Sequence, residues 1–333
     1  MGKRSVPETS QNAGPHVPVL LDEVLAALSP LAGKRIVDGT FGAGGYSRAL
    51  LEAGAVVIAI DRDPSVKPFA DTLTAEFEGR FTFVAGTFSE LDSLAAAHGP
   101  IDGVVLDIGV SSMQLDQPER GFSFMREGPL DMRMSGAGES AADLVNGLDA
   151  EPLANLLYAF GEERKSRRIA QFIVAARETA PIQTTLELAR IIEKAIGRKP
   201  GDAHPATRSF QALRIAVNAE FEQLVDALFA AERLLGEGGR LAVVTFHSLE
   251  DRIVKRFFDP DKGGPAQSRH LPQVATEERR WVDVAKAAKP GAAELERNPR
   301  ARSSILRAAT RSAAAARPVR FEGLGVPMIR GAA

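Results

Sequence analysis

The chain has 333 residues, enough for about two domains, and its 44% hydrophobic and 25% charged residues are the balance of an ordinary globular protein. It contains no cysteine, which excludes disulfides, thiolate nucleophiles and cysteine-ligated zinc or iron–sulfur sites. A formal net charge of −2 argues against a generic nucleic-acid coat, and no apolar run approaches the ~20 residues of a membrane span, so we expect a cytoplasmic protein.

The chain is predicted to begin with a disordered leader over residues 1–15, which is polar, broken by Pro7 and Pro15, and unlike a secretory signal. Apolar side chains at helical spacing predict a first helix at residues 17–28. Short apolar runs that end in loops predict buried strands at residues 35–38, 55–61, 81–84, 101–108 and 241–246.

The first four predicted strands alternate with helical stretches at residues 47–52 and 66–76. This alternation indicates βαβ units, and therefore a doubly wound α/β fold with a parallel sheet and helices on both faces. A further strand is predicted at residues 304–308.

More than a hundred residues separate the fourth and fifth predicted strands, whereas a crossover needs only about a dozen. Asp149 and a capping box of Thr184 with Glu187 are typical of helix starts, and Gly197 of a helix end. Helical patterns fill the interval at residues 152–160, 164–178, 186–196 and 206–235. We expect an inserted all-helical, substrate-recognising domain at residues 116–216, within a core formed by 16–115 and 217–333.

A glycine-rich loop follows the first predicted strand, with the sequence Asp38-Gly-Thr-Phe-Gly42-Ala-Gly44-Gly45-Tyr46. Glycines let the backbone approach a ligand closely, and D-x-x-x-G-x-G after a strand is the first-loop pattern of class I methyltransferases. The spacing differs from the dinucleotide fingerprint G-x-G-x-x-G, because Ser47 stands three residues after Gly44. No Gly-Lys-Ser/Thr follows, which excludes a Walker A loop; a plain tight turn remains the alternative.

Asp61 ends the second predicted strand, seventeen residues beyond Gly44. An acid at this place in a doubly wound fold accepts hydrogen bonds from ribose hydroxyls. Together the loop and the acid indicate a nucleoside cofactor, and they leave NAD and S-adenosylmethionine as the two choices.

Several segments together resemble one family, and RGFSFM..GPLDMRM within residues 119–134 is the most distinctive of them. The others are residues 16–24, 37–47, 59–64, 106–115, 160–170, 204–214 and 244–252. This chain is similar, over residues 16 to about 308, to the ribosomal RNA small subunit methyltransferase H family, also called MraW. The resemblance implies S-adenosylmethionine-dependent methylation of the exocyclic N4 of a cytidine in the decoding region of bacterial small-subunit (16S) ribosomal RNA, with the small ribosomal subunit as partner.

The family's cofactor residues can be carried over by motif. The resemblance implies cofactor binding by Gly44, Gly45, Tyr46, Asp61, Phe88, Asp107 and Gln114. Phe88 is expected to flank the adenine, and Asp107 either to bind the amino group of the methionine part or to lie beside the target amine. Tyr46 departs from the family, which usually has histidine there.

The acceptor of the N4 proton is not given by a motif. Many amino-group methyltransferases place Asp/Asn-Pro-Pro-aromatic after the fourth strand, whereas this chain has Asp107-Ile-Gly-Val110. Asp107 and His247 are the two candidates; alternatively, His247 only leads into a helix with Ser248-x-x-Asp251 as its cap.

RNA contacts are predicted at two places in the insert. Phe122 and Phe124, near Arg120, Arg126 and Arg133, could stack on a splayed base, or could plug the space between domains. Four basic residues would suit phosphate, or form a solvated helix face: Arg164, Lys165, Arg167 and Arg168.

The five histidines lack metal-ligand spacing, so no metal site is expected. Two rival functions remain: an NAD-dependent oxidoreductase on the same core, and a non-catalytic RNA-binding assembly factor that retains the cofactor pocket.

Overall fold

The computed structural model describes residues 18–198, 201–259 and 278–329; the predicted leader at residues 1–15 lies outside them. A seven-stranded sheet has the order β3-β2-β1-β4-β5-β7-β6. Its strands are β1 Arg35–Asp38, β2 Val56–Asp61, β3 Phe81–Ala85, β4 Ile101–Asp107, β5 Leu235–Thr245, β6 Trp281–Val282 and β7 Ile305–Arg311. All six predicted strands are present, with bounds that differ by a few residues.

Strands β1 to β5 pair in parallel, whereas β7 runs antiparallel to both β5 and β6. The crossovers from β1 lead to β2 and β3 on one side, and the later strands β4 and β5 lie on the other. The predicted doubly wound sheet is therefore confirmed, with an antiparallel edge added to it. In such a sheet, the crevice at the point where the order reverses, here between β1 and β4, receives ligands.

Helices cover both faces of the sheet, as predicted, and thereby bury the central strands on both sides. Along β2, Val57 and Ala59 belong to one buried apolar cluster, and Ile58 and Ile60 to the other. The first cluster includes residues of α1 Leu21–Leu28, α2 Gly45–Glu52 and α3 Lys67–Glu76. The second includes residues of α4 Leu91–Ala95, α11 Glu220–Leu234 and α12 Ser248–Phe258.

The interval between β4 and β5 is helical in the described residues. It contains α5 Ser112–Asp116, α6 Ala141–Gly147, α7 Ala150–Gly161, α8 Ser166–Arg177, α9 Thr185–Ile196 and α10 Thr207–Asn218. The Thr184 hydroxyl accepts from the Glu187 N–H, as expected for a capping box. The Glu187 carboxylate, however, accepts from the Gln183 N–H and so does not complete the predicted box. Asp149 occupies the N-cap position of α7, as predicted, but its side chain makes no capping hydrogen bond. The domain boundaries at 116–216 stay a prediction.

The helix predicted over residues 206–235 is in fact two helices. Ala219 separates α10 from α11 with φ +48°, a left-handed conformation that is uncommon for alanine. Asn218 bonds the Met134 N–H and the Met132 carbonyl, at 2.9 and 2.7 Å, which fixes the corner through contacts distant in sequence. Apolar spacing could not reveal this break, because tertiary hydrogen bonds impose it.

The last α-helix in the described part of the chain is α13 Ala292–Arg297. Among the helices described, none is both long enough and apolar enough to cross a bilayer.

Candidate functional site

A cavity of about 360 Å³ opens at the carboxyl ends of β1, β2 and β4, where the strand order reverses. Its volume is within the ~300–1,000 Å³ range of small-molecule sites. Most of the predicted cofactor residues line it, namely Gly45, Tyr46, Asp61, Phe88, Asp107 and Gln114. The fold therefore brings together residues from five separate segments of the sequence.

The glycine loop forms one side of the cavity. Gly44 is the N-cap residue just before α2 and has φ +81°. A Cβ atom there would lie 2.9 Å from the Phe41 ring. Only glycine suits this backbone conformation and this close packing. Gly44 itself does not line the cavity, whereas Gly42, Ala43 and Gly45 do. Its contribution is to shape the turn that presents its neighbours.

Asp61 lies at the end of β2 and faces the same loop. Its Oδ2 accepts from the Gly42 N–H at 2.8 Å, and its Oδ1 accepts from the Asp63 N–H at 2.9 Å. Burial raises the pKa of this carboxyl group, and these two hydrogen bonds oppose the shift. A carboxylate oxygen has two lone-pair sites, so each oxygen can accept one further donor from a ligand.

Asp107 lies at the end of β4, across the crevice from β1. Its Oδ1 is buried and has no hydrogen-bond partner among the described residues. Burial, with the negative charges of Asp38 and Glu250, raises its pKa to about 8. An unpartnered buried carboxylate oxygen is costly, and a cationic or N–H donor in the cavity would satisfy it.

Gln114 lines the cavity, but its amide is already engaged. Its Nε2 donates to Asp63 at 2.9 Å, and its Oε1 accepts from the Ser111 N–H at 3.0 Å. Arg120 donates to both Asp63 oxygens and to the Met134 carbonyl. Sequence reasoning missed Asp63 and this use of Arg120, although both lie in the distinctive segments; the shared carboxylate becomes visible only in three dimensions.

The chain matches the MraW methylase family over residues 13–312. It belongs to this family. A relative from Cereibacter sphaeroides (strain KD131), named ribosomal RNA small subunit methyltransferase H, is 57% identical over 326 residues, which cover 97% of this chain and 98% of the relative. One of the same name from Xanthobacter autotrophicus (strain Py2) is 58% identical over 307 residues, covering 91% and 89%.

A solved rRNA methylase from Streptococcus thermophilus is similar to this chain with 10% identity and a TM-score of 0.41, covering 90% of this chain and 99% of that one. The MraW match and the seven-stranded order identify the fold as that of a class I methyltransferase. The predicted resemblance is thus confirmed, and the oxidoreductase alternative is set aside.

Tyr46 stands where the motif resemblance led us to expect histidine, and it has a structural use here. Its ring is buried, and its hydroxyl donates to the Val19 carbonyl just before α1. Burial raises the pKa of the phenol well above its ordinary value, so it stays protonated and keeps donating. The side chain fastens the segment before α1 against the loop.

Phe88 follows β3 in a short 3₁₀ turn. Its ring is partly buried against the main apolar cluster and lines the cavity. A flat apolar ring in this position can pack against the face of a base.

His247 does not line the cavity, although the preceding Phe246 does. Its Nε2 lies 2.9 Å from Glu250 Oε1, and Glu250 Oε2 accepts from the N–H groups of Phe246 and His247. This arrangement favours the alternative in which His247 leads into α12. The acid that caps this helix is Glu250 rather than the predicted Asp251.

The fold places Glu220, His247 and Glu250 close enough for their ligand atoms to lie within 4.8 Å of one another. Both Glu220 oxygens, however, accept from Arg214, at 2.7 and 2.8 Å. A guanidinium cation therefore already balances this acid. The expectation of no metal site stays a prediction.

The two phenylalanines of the insert are packed rather than presented to a ligand. Phe122 is buried, and Phe124 lies 4.6 Å from the His204 ring and 4.8 Å from the Phe210 ring, between ring centroids. These contacts lie within the insert and leave less of each ring available for stacking on a base, whereas the plug between the domains stays a prediction.

The raised pKa of Asp107 predicts a pH-dependent stability. Between about pH 4 and pH 8 the folded chain keeps this proton while the unfolded chain releases it, so unfolding becomes easier as the pH rises. Asp107→Asn removes this effect. We expect the free energy of unfolding of the variant, relative to the unaltered chain, to be higher at pH 8 than at pH 4.5 in urea titrations.

Asp102→Asn is the matched control, because hydrogen bonds to the Arg35 N–H and Lys34 lower the pKa of Asp102. Above about pH 4 the lowered pKa of Asp102 has already made its full contribution to stability, so the difference between this variant and the unaltered chain should be nearly constant from pH 4.5 to pH 8. A pH-independent difference for Asp107→Asn would contradict the burial of its charge.

Proposed function

We propose that this chain transfers a methyl group from S-adenosylmethionine to the exocyclic N4 of a cytidine in the decoding region of bacterial 16S ribosomal RNA. The near full-length identity of 57% to a relative named ribosomal RNA small subunit methyltransferase H carries the proposal. The choice of N4 and of the decoding region rests on the motif resemblance over residues 16 to about 308. The proposed partner is small-subunit ribosomal RNA, within the small ribosomal subunit.

The cavity offers donors and acceptors that fit this cofactor. We assign the ribose hydroxyls to Asp61, whose two oxygens each keep a free acceptor site. The adenine would pack on Phe88, and the backbone of Gly45 and Tyr46 would approach the methionine part. Gln114 would contribute mainly by holding Asp63, since its amide already bonds that carboxylate.

Asp107 is assigned to the amino group of the methionine part. Its unpartnered Oδ1 requires a donor, and a nearby ammonium group would favour the ionised carboxylate and return its pKa toward the ordinary range. The bound cofactor would supply a methyl group on a positively charged sulfur with a good leaving group.

The protein's task is then to hold the target amine in line with the methyl group. The lone pair of cytosine N4 is delocalised into the ring, so an acceptor on its N–H would make it more nucleophilic. Asp107 is the candidate acceptor that lines the cavity, whereas His247 does not. Asp107 therefore stays a candidate for both tasks, and the anchoring role is the one we propose.

The helical insert, residues 116–216, is proposed to bind the RNA. On α8 and just before it, Arg164, Lys165, Arg167 and Arg168 are exposed. No carboxylate in the described part of the chain forms an ion pair with any of them. Exposed cations without acidic partners are suited to a phosphate backbone.

The direct test is to map methyl groups on ribosomal RNA by mass spectrometry. Small subunits from cells that lack this protein should carry an unmethylated decoding-region cytidine, and incubation with the chain and S-adenosylmethionine should add one methyl group at N4. No added methyl group, despite normal cofactor binding, would support the non-catalytic assembly factor instead.

Asp61→Ala tests the cofactor assignment. Loss of hydrogen bonds from ribose hydroxyls to a charged group costs ~1.5–3 kcal/mol, so the dissociation constant of S-adenosylhomocysteine should rise roughly ten- to a hundred-fold by calorimetry. Asp71→Ala, on the exposed face of α3, is the control and should bind normally. Unchanged binding of S-adenosylhomocysteine by a folded Asp61→Ala variant would contradict the assignment of Asp61 to the ribose.

Neutralising Arg164, Lys165, Arg167 and Arg168 with glutamine tests the RNA surface. Affinity for small-subunit RNA should fall and depend less on salt, because fewer counterions are released on binding. Binding of S-adenosylhomocysteine should not change. A control that exchanges each arginine for lysine and Lys165 for arginine keeps the charge and should keep the salt slope. If the glutamine variant binds RNA normally at every salt concentration, these residues are only a solvated face.

A further inference from the structure

Arg214, near the end of α10, has hydrogen-bonding capacity that the protein does not use. Its Nε and Nη2 donate to the two Glu220 oxygens, and its side chain is 16% exposed. Its Nη1 has no acceptor among the residues that the structure describes. Arg214 lines the cavity, so an N–H group that needs a partner is available to a ligand there.

The surroundings of Arg214 suit a flat heterocycle. Phe246 and Met134 line the same cavity as Arg214, and both are at least partly buried. The backbone N–H of Phe246 donates to Glu250 Oε2 at 2.9 Å, which anchors the main chain that carries the ring. Aromatic side chains are the usual surface on which a splayed RNA base stacks.

Arg214 and Asp107 line the same cavity, and the negative charge of Glu250 contributes to the pKa shift of each group. Because Asp107 is assigned to the cofactor, the unpartnered donor on Arg214 is the group left for the base. Cytosine presents the acceptors N3 and O2 on the edge that also carries the N4 amine.

We propose that Arg214 is a specificity-determining residue for the target base, and that its Nη1 donates to the N3 acceptor of cytosine while the Phe246 ring packs on the base. This inference rests on the proposed function and adds to it the side of the cavity that receives the base. Uracil has an N–H group at N3, so that atom offers no acceptor to the guanidinium donor. Discrimination between the two pyrimidines follows from the same contact.

The other arginines that line the cavity, Arg62 and Arg300, and the nearby Arg120 have other contacts. Arg120 is bonded to Asp63 and to backbone carbonyls, and Arg300 pairs with Asp116 at the surface. Arg62 follows the ribose acid Asp61 directly in sequence and contacts the Met134 sulfur. Arg214 instead pairs with Glu220 through Nε and Nη2, which leaves its Nη1 for a ligand.

The test compares Arg214→Gln, Arg214→Lys and Glu220→Gln. Two quantities are measured for each: the single-turnover rate of methyl transfer to small subunits at saturating S-adenosylmethionine, and the dissociation constant of S-adenosylhomocysteine. Arg214→Gln should slow transfer about ten- to a hundred-fold, as expected for a lost hydrogen bond from a charged donor, with little change in S-adenosylhomocysteine binding. Arg214→Lys, which keeps the charge, should recover part of the rate.

Glu220→Gln separates a contact with the base from a structural role, because it weakens the ion pair but retains the guanidinium. It should transfer methyl groups at a rate close to that of the unaltered chain. An equal slowing in Glu220→Gln would make Arg214 a structural residue, and a parallel loss of S-adenosylhomocysteine affinity in Arg214→Gln would assign Arg214 to the cofactor. A normal rate in Arg214→Gln would also overturn the proposal.

The unaltered chain separates failure of this inference from failure of the proposed function. If it binds S-adenosylhomocysteine but transfers no methyl group to small subunits, the proposed function fails and the inference fails with it. If it transfers normally, the three variants decide on Arg214 alone.

Discussion

The reversal of strand order between β1 and β4 is the constraint on which the site depends. Strands β2 and β3 lie to one side of β1 and strands β4 and β5 to the other, so the loops after β1 and β4 diverge and leave a crevice. Parallel pairing brings the carboxyl ends of these strands to one edge of the sheet. Residues as far apart in sequence as Asp61 and Asp107 consequently line one cavity.

Buried carboxyl groups are concentrated in this crevice, and ionising them is energetically costly. Burial raises the pKa of Asp38 to about 6 and that of Asp107 to about 8; the charge of Asp61 adds to the first shift, and the charges of Asp38 and Glu250 add to the second. Asp38 is satisfied by the Ser47 hydroxyl at 2.7 Å, but Asp107 keeps an unpartnered oxygen. Such a site is organised for a ligand that brings positive charge and N–H donors, and S-adenosylmethionine has both.

The sequence was sufficient to predict the parallel strands of the sheet, because buried parallel strands are short, continuous apolar runs that end in recognisable loops; the two-residue β6 and the antiparallel direction of β7 were not predicted. The glycine loop and Asp61 were predicted for the same reason: each occupies a fixed place beside a strand end. What could not be predicted depends on contacts between distant segments. Ala219 breaks a regular apolar pattern because Asn218 bonds residues of the 130s loop.

The polar clusters beside the cavity could not be predicted from the sequence for the same reason. Asp63 joins Gln114 and Arg120, and Glu220 meets Arg214 across the corner between two helices. Their hydrogen-bond partners are set by the fold, and no local spacing indicates them. For the aromatic residues of the insert, the sequence left stacking on RNA and packing within the protein as alternatives, and only the fold shows that Phe124 packs on Phe210.

A crystal structure of the chain with S-adenosylhomocysteine would test the central claim most directly. We expect both ribose hydroxyl oxygens to lie within about 3.2 Å of the Asp61 carboxylate, and the amino nitrogen of the ligand to lie within hydrogen-bonding distance of Asp107 Oδ1. A complex in which the ribose lies elsewhere, and Asp61 bonds only the Gly42 and Asp63 N–H groups, would contradict it.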